Sequence, residues 1–154
     1  MGLITERLAG HKLIGLDTVI FIYHLQAHDR YLSLTKELLN GIRSGRWRAV
    51  TSTVTIMELT VRPWQMNRPA VAYEYEALLV HFPNCMVADV TRDIARRAAQ
   101  LRARYRLHPA DALQVATALN HGATAWVTND HALTRLAPDL EVVILDDFVV
   151  ADEK

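Results

Sequence analysis

The sequence predicts an α/β fold, a three-layer α/β/α sandwich around a mainly parallel central sheet of about five strands. Short apolar runs at 12–17, 47–52, 85–90, 125–127 and 141–145 have the length of buried strands. Between them lie segments with apolar residues at helical spacing, clearest at 31–43 and 91–105. Strands that alternate with helices make a parallel-dominated sheet covered on both faces. With 154 residues and neither repeat nor linker, the chain reads as one domain over 1–148 and a short C-terminal tail over 149–154.

In chain order, the first strand (KLIGLD, 12–17) ends in an acid. Residues 18–25 (TVIFIYHL) read as a helix starting after Asp17, although their β-branched content also suits a strand. His28-Asp29-Arg30 breaks the chain before the helix at 31–43, whose pattern runs through Asn40-Gly41. After the strand at 47–52, residues 53–61 (TVTIMELTV) read as a helix capped by Thr53 and closed by Arg62-Pro63, with 64–68 as loop. Pro69 opens a helix to about residue 82, and Pro83 stops it. Thr91 caps the helix at 91–105, with Ile94, Ala95, Ala98, Leu101 and Tyr105 facing in. Pro109 begins another, with Leu113, Val115, Ala116 and Leu119 apolar and Gly122 as its stop. A short helix at 131–136 and the strand at 141–145 complete the fold.

Bulk composition excludes several classes. The chain is 51% hydrophobic and 22% charged with zero formal net charge, so no global field attracts polyanions. Of its 17 basic residues only Lys12, Lys36 and Lys154 are lysines, a bias that suits phosphate or partner binding but also follows from coding bias. The lone Cys85 excludes an internal disulfide and a cysteine metal cluster, and reads as a buried small hydrophobe. No apolar run approaches membrane-spanning length, and the first 17 residues carry scattered charges without a signal-type core, which predicts a soluble cytoplasmic protein.

Four acids interrupt apolar or small-residue patterns: Asp17, Glu58, Asp111 and Asp130. Each taken singly also reads as a cap or a paired structural charge. Glu58 lies mid-helix and cannot be a cap. Asp17 and Asp130 both follow strands, which puts them at the sheet edge where ligands gather in such folds. Carboxylates brought together repel unless a cation lies between them. Hard oxygen donors without a cysteine or histidine cluster select Mg²⁺ or Mn²⁺ over zinc, and such a site can activate water against a phosphodiester.

The segments LIGLDTVIFIYHL, TVTIMELTV, PADALQVATALNHG and WVTND, in this order, resemble the PIN-domain ribonucleases, and among them the toxin component of VapBC toxin–antitoxin modules. The resemblance spans about residues 13–148. It implies a Mg²⁺- or Mn²⁺-dependent endoribonuclease in which Asp17, Glu58, Asp111 and Asp130 are the matching acids. Asp17 and Asp111 would hold the principal metal, Glu58 and Asp130 would complete its shell, and the general base is left open. Thr18 and Thr128 match polar positions flanking the metal, with Asn129 a weaker match. The resemblance further implies an RNA substrate, a cognate antitoxin blocking the acidic groove with an extended segment, and a homodimer. The rival from another class is a PIN-like module that binds protein or RNA without cutting.

Other residues are read locally. Arg62 and Arg68 are placed for RNA or a partner, whereas the arginines of 92–106 suit the solvated face of a helix. His108 and His131 flank acids but read first as cap or surface residues, and Asp146-Asp147 read as turn acids. Trp126 belongs to the core, while Trp64, in a loop, would stack on a base or a partner. Tyr73, Tyr75, Leu78, Leu79 and Phe82 form a possible dimer face. A receiver-type phosphoacceptor fails for want of a lysine after the last strand, where only Lys154 remains. A haloacid-dehalogenase-like site would need an acid where Val19 stands. No serine lies in a nucleophile elbow, and no phosphate-binding glycine loop exists.

Overall fold

The computed structural model describes residues 3–136 and 138–150, so residues 151–154 of the predicted tail lie outside the described residues. The five strands are β1 (Leu13–Leu16), β2 (Arg48–Ser52), β3 (Cys85–Ala88), β4 (Ala125–Thr128) and β5 (Glu141–Ile144). They form one sheet in the order β3-β2-β1-β4-β5 with every neighbouring pair parallel. The chain winds outward from β1 through β2 to β3, then crosses back to begin β4 on the other side. β1 and β4 therefore flank the point where the winding reverses, with Leu16 opposite Val127 at its end.

The helices are α1 (Ile4–Arg7), α2 (Thr18–Leu25), α3 (Leu32–Arg43), α4 (Thr53–Gln65), α5 (Pro69–Val80), α6 (Arg92–Tyr105) and α7 (Pro109–Asn120). Side chains alternate across each strand, and the two faces build separate cores. Ile14, Leu16, Ala125 and Val127 pack with Ile20, Phe21, Leu38, Ile42 and Leu59 from α2, α3 and α4. Val50 and Trp126 pack on the opposite face with Ile94, Leu101, Ala112, Val115 and Ala116 from α6 and α7. This is the three-layer arrangement expected, with a wholly parallel sheet.

Several local expectations change. Helix α4 starts after Ser52, whose Oγ accepts the Val54 N–H at 3.1 Å, so Ser52 and not Thr53 is the cap. It continues past Pro63 to Gln65, placing Trp64 in a helix and not a loop. Proline forfeits one intrahelical bond; here its ring is buried and the last turn closes regardless, with Met66 N–H on the Arg62 carbonyl at 3.0 Å. β3 stops at Ala88, short of residue 90, and β5 stops at Ile144, where a 3₁₀ turn over Leu145–Phe148 begins. The segment His131–Leu136 is also 3₁₀. Ala95 faces solvent and Tyr105 is half-buried. Helix α7 is buried nearly all round, Gln114 and Thr117 included, while Leu113 and Leu119 are only partly covered. α1, not foreseen, is tied down by buried Ile4 and by the Trp47 indole N–H on the Leu8 carbonyl at 3.0 Å. Cys85 and Trp126 are buried as expected, and Gly122 ends α7 at φ +85°.

Gly15 fixes how closely α7 and the Trp126 ring approach β1. A Cβ there would lie 2.6 Å from Trp126 Cε3 and 2.8 Å from Ala118 Cβ. Both neighbours are themselves buried, so neither can swing away. Gly15→Ala should lower stability by about 1–3 kcal/mol through overpacking, read as a reduced urea midpoint. An unchanged midpoint would mean that the helix layer slides freely, contrary to this packing.

Candidate functional site

Asp17 is the residue immediately after β1, at the carboxyl ends of the strands and beside the winding reversal, where open α/β sheets leave a crevice. Its backbone N–H still bonds across the seam to the Val127 carbonyl at 3.0 Å. Both carboxylate oxygens are engaged: Oδ1 accepts the Thr18 N–H at 2.7 Å, capping α2, and Oδ2 accepts the Thr128 hydroxyl at 2.7 Å. Asp17 is therefore a helix cap, as its sequence position allows, and more besides. Burial pushes its carboxyl up from 3.8 to about 6, helped by the like charges of Asp111 and Glu58; the bonds from Thr128 and Thr18 oppose the rise without cancelling it.

Glu58 projects from the second turn of α4 and accepts the Thr18 hydroxyl on Oε1 at 2.8 Å. Beneath it lies a buried polar layer that the sequence reading passed over: Gln114, Thr55, Thr51 and Ser52. Gln114 Nε2 donates to Thr18 Oγ1 at 2.9 Å and to Thr55 Oγ1 at 2.6 Å, and its Oε1 accepts the Ser52 hydroxyl at 2.7 Å. Thr51 donates to the Leu16 carbonyl at 3.1 Å, which leaves its oxygen free to accept from Thr55 at 2.7 Å. One donor pattern satisfies all of these contacts at once, and its Thr18 branch ends on the Glu58 carboxylate. Gln114 interrupts the apolar run of α7 just as the acids interrupt theirs; that signal was present for an uncharged residue too.

Asp111 sits in the first turn of α7, after Pro109, and Asp130 follows β4. Burial raises the Asp111 carboxyl above the usual range, as do the charges of Asp130 and Glu58, while nearby His108 pulls it down. Asp130 Oδ1 accepts the Ala132 N–H at 2.9 Å, opening the 3₁₀ turn. Asp17 thus feels the charges of Asp111 and Glu58, and Asp111 those of Glu58 and Asp130. Among the described residues none of them is ion-paired to a lysine or arginine. No three acids, histidines or cysteines among those residues are already gathered into a metal-binding group. The fit to a divalent cation accordingly lies in donor type and uncompensated charge, not in a preformed cage.

Two concavities border the acids. An open groove of about 370 Å³ is lined by Asp17, Val19, Tyr23, Thr128, Asn129 and Asp130. A more apolar one of about 360 Å³ holds Glu58 and both Arg62 and Arg68, with Ile22, Leu25 and Tyr75 among its walls. Thr128 is fully buried and also accepts the Asp130 N–H at 3.2 Å. Asn129 bridges the Asp146 N–H at 3.0 Å and the Tyr23 hydroxyl at 3.2 Å. His131 contacts Asp146 at 3.3 Å and no acid of the site, and His108 caps α7 without a side-chain bond. Asp146 is more than a turn acid, since it also accepts the Tyr31 hydroxyl. Of the proposed dimer face, Leu79 is core and Tyr75 and Phe82 pack on it; Tyr73 and Leu78 remain exposed, with Tyr73 edge-on to Trp64.

The raised Asp17 carboxyl has a consequence for stability. The folded chain binds this proton more tightly than the unfolded chain, so stability is lost as pH rises from 3.8 to about 6. The cost above that window is on the order of 3 kcal/mol at full ionisation. Asp17→Asn should therefore stabilise the metal-free protein near neutral pH, and the gain should vanish below about pH 4. Urea unfolding in EDTA at both pH values checks this; an equal effect at both would show that the gain is not electrostatic.

The PIN domain family model matches residues 14–138. No curated protein matches the chain in sequence. Among solved structures, the chain is similar to DNA-bound VapBC from Salmonella typhimurium, with 20% identity, TM-score 0.67, 87% of this chain and 98% of that chain covered. It is also similar to a toxin–antitoxin complex from Klebsiella pneumoniae, with 24% identity, TM-score 0.61, 86% and 97% covered. VapBC2 from Rickettsia felis bound to a promoter DNA fragment gives 17% identity, TM-score 0.63, 86% and 98% covered. At these identities the structures speak for the fold, and the family model speaks for kinship: the chain belongs to the PIN domain family.

Proposed function

We propose that this chain is a divalent-metal-dependent endoribonuclease and the toxin of a toxin–antitoxin pair. The observation that carries the reading is Asp17: half-buried, held at both oxygens, and crowded by the charges of Asp111 and Glu58. A bound cation would offset the charge that burial and the neighbouring acids make costly there. PIN domains are generally divalent-metal-dependent nucleases, which supports the same reading.

Asp17 and Asp111 would hold Mg²⁺ or Mn²⁺, with Glu58 and Asp130 completing the shell. The ion would lower the pKa of a bound water and take up charge on the phosphodiester. The protein's own part is orientation. Thr128 and the Thr18 N–H fix the plane of the Asp17 carboxylate, and Thr18 fixes Glu58. The neutral layer under Gln114 keeps Thr18 in place while adding no charge to a site already over-supplied with it. Arg62 and Arg68, beside Glu58, are available to RNA phosphate or to a partner.

Purified protein should cut a mixed RNA pool with Mg²⁺ or Mn²⁺ and not with EDTA, and Asp17→Asn should slow cutting by about 100-fold or more. Cutting that survives Asp17→Asn would overturn the assignment. A folded protein that binds RNA yet never cuts it would be a binding module instead.

The structures it resembles include proteins described as toxin–antitoxin complexes. By that likeness the partner is a small antitoxin, with an extended segment lying in the concavity beside Glu58 and an arginine reaching the acids. The chain would work in the cytoplasm, where its RNA is, and among the described residues no helix is long and apolar enough to cross a membrane. A homodimer would bury the exposed Tyr73 and Leu78. Expression alone should arrest growth, and a small protein should co-purify from the native host. Normal growth together with a lone purified chain would remove the antitoxin part of the reading.

A further inference from the structure

One group at the rim of the groove has no part in the hydrolysis just described. Tyr23 lines the groove with Asp17, Thr128, Asn129 and Asp130. Its ring lies on that of Tyr31, with centroids 4.3 Å apart and planes 17° from parallel. His28 leans against both rings at 4.9 and 4.8 Å. The Tyr23 hydroxyl accepts from Asn129 Nδ2 at 3.2 Å, Asn129 Oδ1 accepts the Asp146 N–H at 3.0 Å, and the Asp146 carboxylate accepts the Tyr31 hydroxyl. The contacts close a circuit: Tyr23 to Tyr31 by stacking, Tyr31 to Asp146 to Asn129 and back to Tyr23 by hydrogen bonds.

We infer that Tyr23 is a platform on which one unpaired base of a single-stranded RNA stacks, next to the phosphate held at the acids. The inference takes RNA as ligand from the nuclease reading, and takes the location from the geometry. A ring locked before binding loses little freedom when a base lands on it. A base inside a duplex already has both faces covered, so a platform of this kind takes only single-stranded or splayed-out nucleotides. The surroundings suit a base better than a peptide side chain. Among the described residues Val19 is the only aliphatic one lining the groove, beside the polar Asp17, Thr128, Asn129 and Asp130. Arg30 lies 5.8 Å from the Tyr31 ring centroid and pairs with Asp146 at 3.6 Å, bracing the same circuit.

The test uses a short single-stranded RNA carrying aminopurine, whose fluorescence is quenched on stacking, placed at each position in turn. Asp17→Asn in Mg²⁺ serves as the background, so that bound RNA is not consumed. Quenching is expected at one position; adding Tyr23→Phe should preserve it. Adding Tyr23→Leu should abolish it and weaken binding by about 5- to 150-fold. Removing the base at that position should weaken binding to the Tyr23-containing protein by the same factor, a comparison that does not depend on how Tyr23→Leu folds. Quenching and affinity unchanged by Tyr23→Leu, or affinity unchanged by loss of the base, would overturn the inference. So would a Tyr23→Leu protein that keeps its RNA affinity but loses a co-purifying protein, which would make Tyr23 a partner contact. Cutting by the otherwise unaltered protein is followed in parallel. Cutting with no effect of Tyr23→Leu removes the platform and leaves the nuclease. Stacking without any cutting removes the nuclease and leaves the platform.

Discussion

The 2.7 Å hydrogen bond from Thr128 to Asp17 spans the seam between β1 and β4, where the sheet reverses its winding. Parallel pairing brings it about: Leu16 lies opposite Val127, so the next residue of each strand emerges at the same height. The connections leave this seam in opposite directions, and at such a point open α/β sheets leave a crevice. The acids elsewhere in the chain matter only because α4 and α7 start from, or pack against, the same edge. α4 begins at Ser52, at the end of β2, and the Ser52 hydroxyl bonds to Gln114 of α7. The sheet thus sets the place of Asp17, and side-chain bonds carry that placement outward to Glu58 and, through Gln114, to helix α7, which bears Asp111.

Electrostatically the arrangement works against the fold. Two donors favour the ionised Asp17 carboxylate, yet burial and two neighbouring acids outweigh them and leave its carboxyl at about 6. Placing an arginine among the acids would relieve the strain and would also fill the space a cation needs. Among the described residues no lysine or arginine pairs with these acids, and the layer beside them is neutral. Thr18, Thr55, Thr51, Ser52 and Gln114 satisfy one another within the buried layer, so no polar group there adds an unpaired cost of its own. A glutamine suits the centre because it donates twice and accepts on the other side of one rigid amide. Leucine would leave three hydroxyls short of partners, and glutamate would add a fifth charge.

How much of this was legible beforehand depended on the range of the interaction. Asp17, Glu58, Asp111 and Asp130 stood out because a charge inside an apolar run has few benign explanations. Gln114 and Thr55 broke the same runs, but uncharged polar side chains are tolerated in helices and raised no alarm. Ser52 and Thr53 are adjacent hydroxyls with equal claims to cap α4; backbone dihedrals decided for Ser52, and these depend on where β2 lets go. Pro63 looked like a stop because the expected loss is local, while the burial that offsets it is tertiary. Ala95 was counted as inward on helical spacing, yet so small a side chain gives the spacing little to act on. Strand order lay beyond local pattern altogether, since β1 pairs with β4 across more than a hundred residues.

The aromatic circuit belongs to the same long-range class. Tyr23 and Tyr31 are eight apart in the chain, but their orientation is set by Asn129 and Asp146, supplied from the loops after β4 and β5. The result is a pair of unlike concavities: the one that holds Glu58 is more apolar, with Arg62 and Arg68 in its walls, and the one that holds Asp17 and Asp130 is lined by Tyr23, Asn129 and Thr128. A chain of zero net charge has no general attraction for a polyanion, so affinity for RNA, as proposed, would have to come from local cations and from stacking. Stacking would leave the carboxylates to a bound cation, whereas a further arginine beside Asp17 would compete with that cation for them.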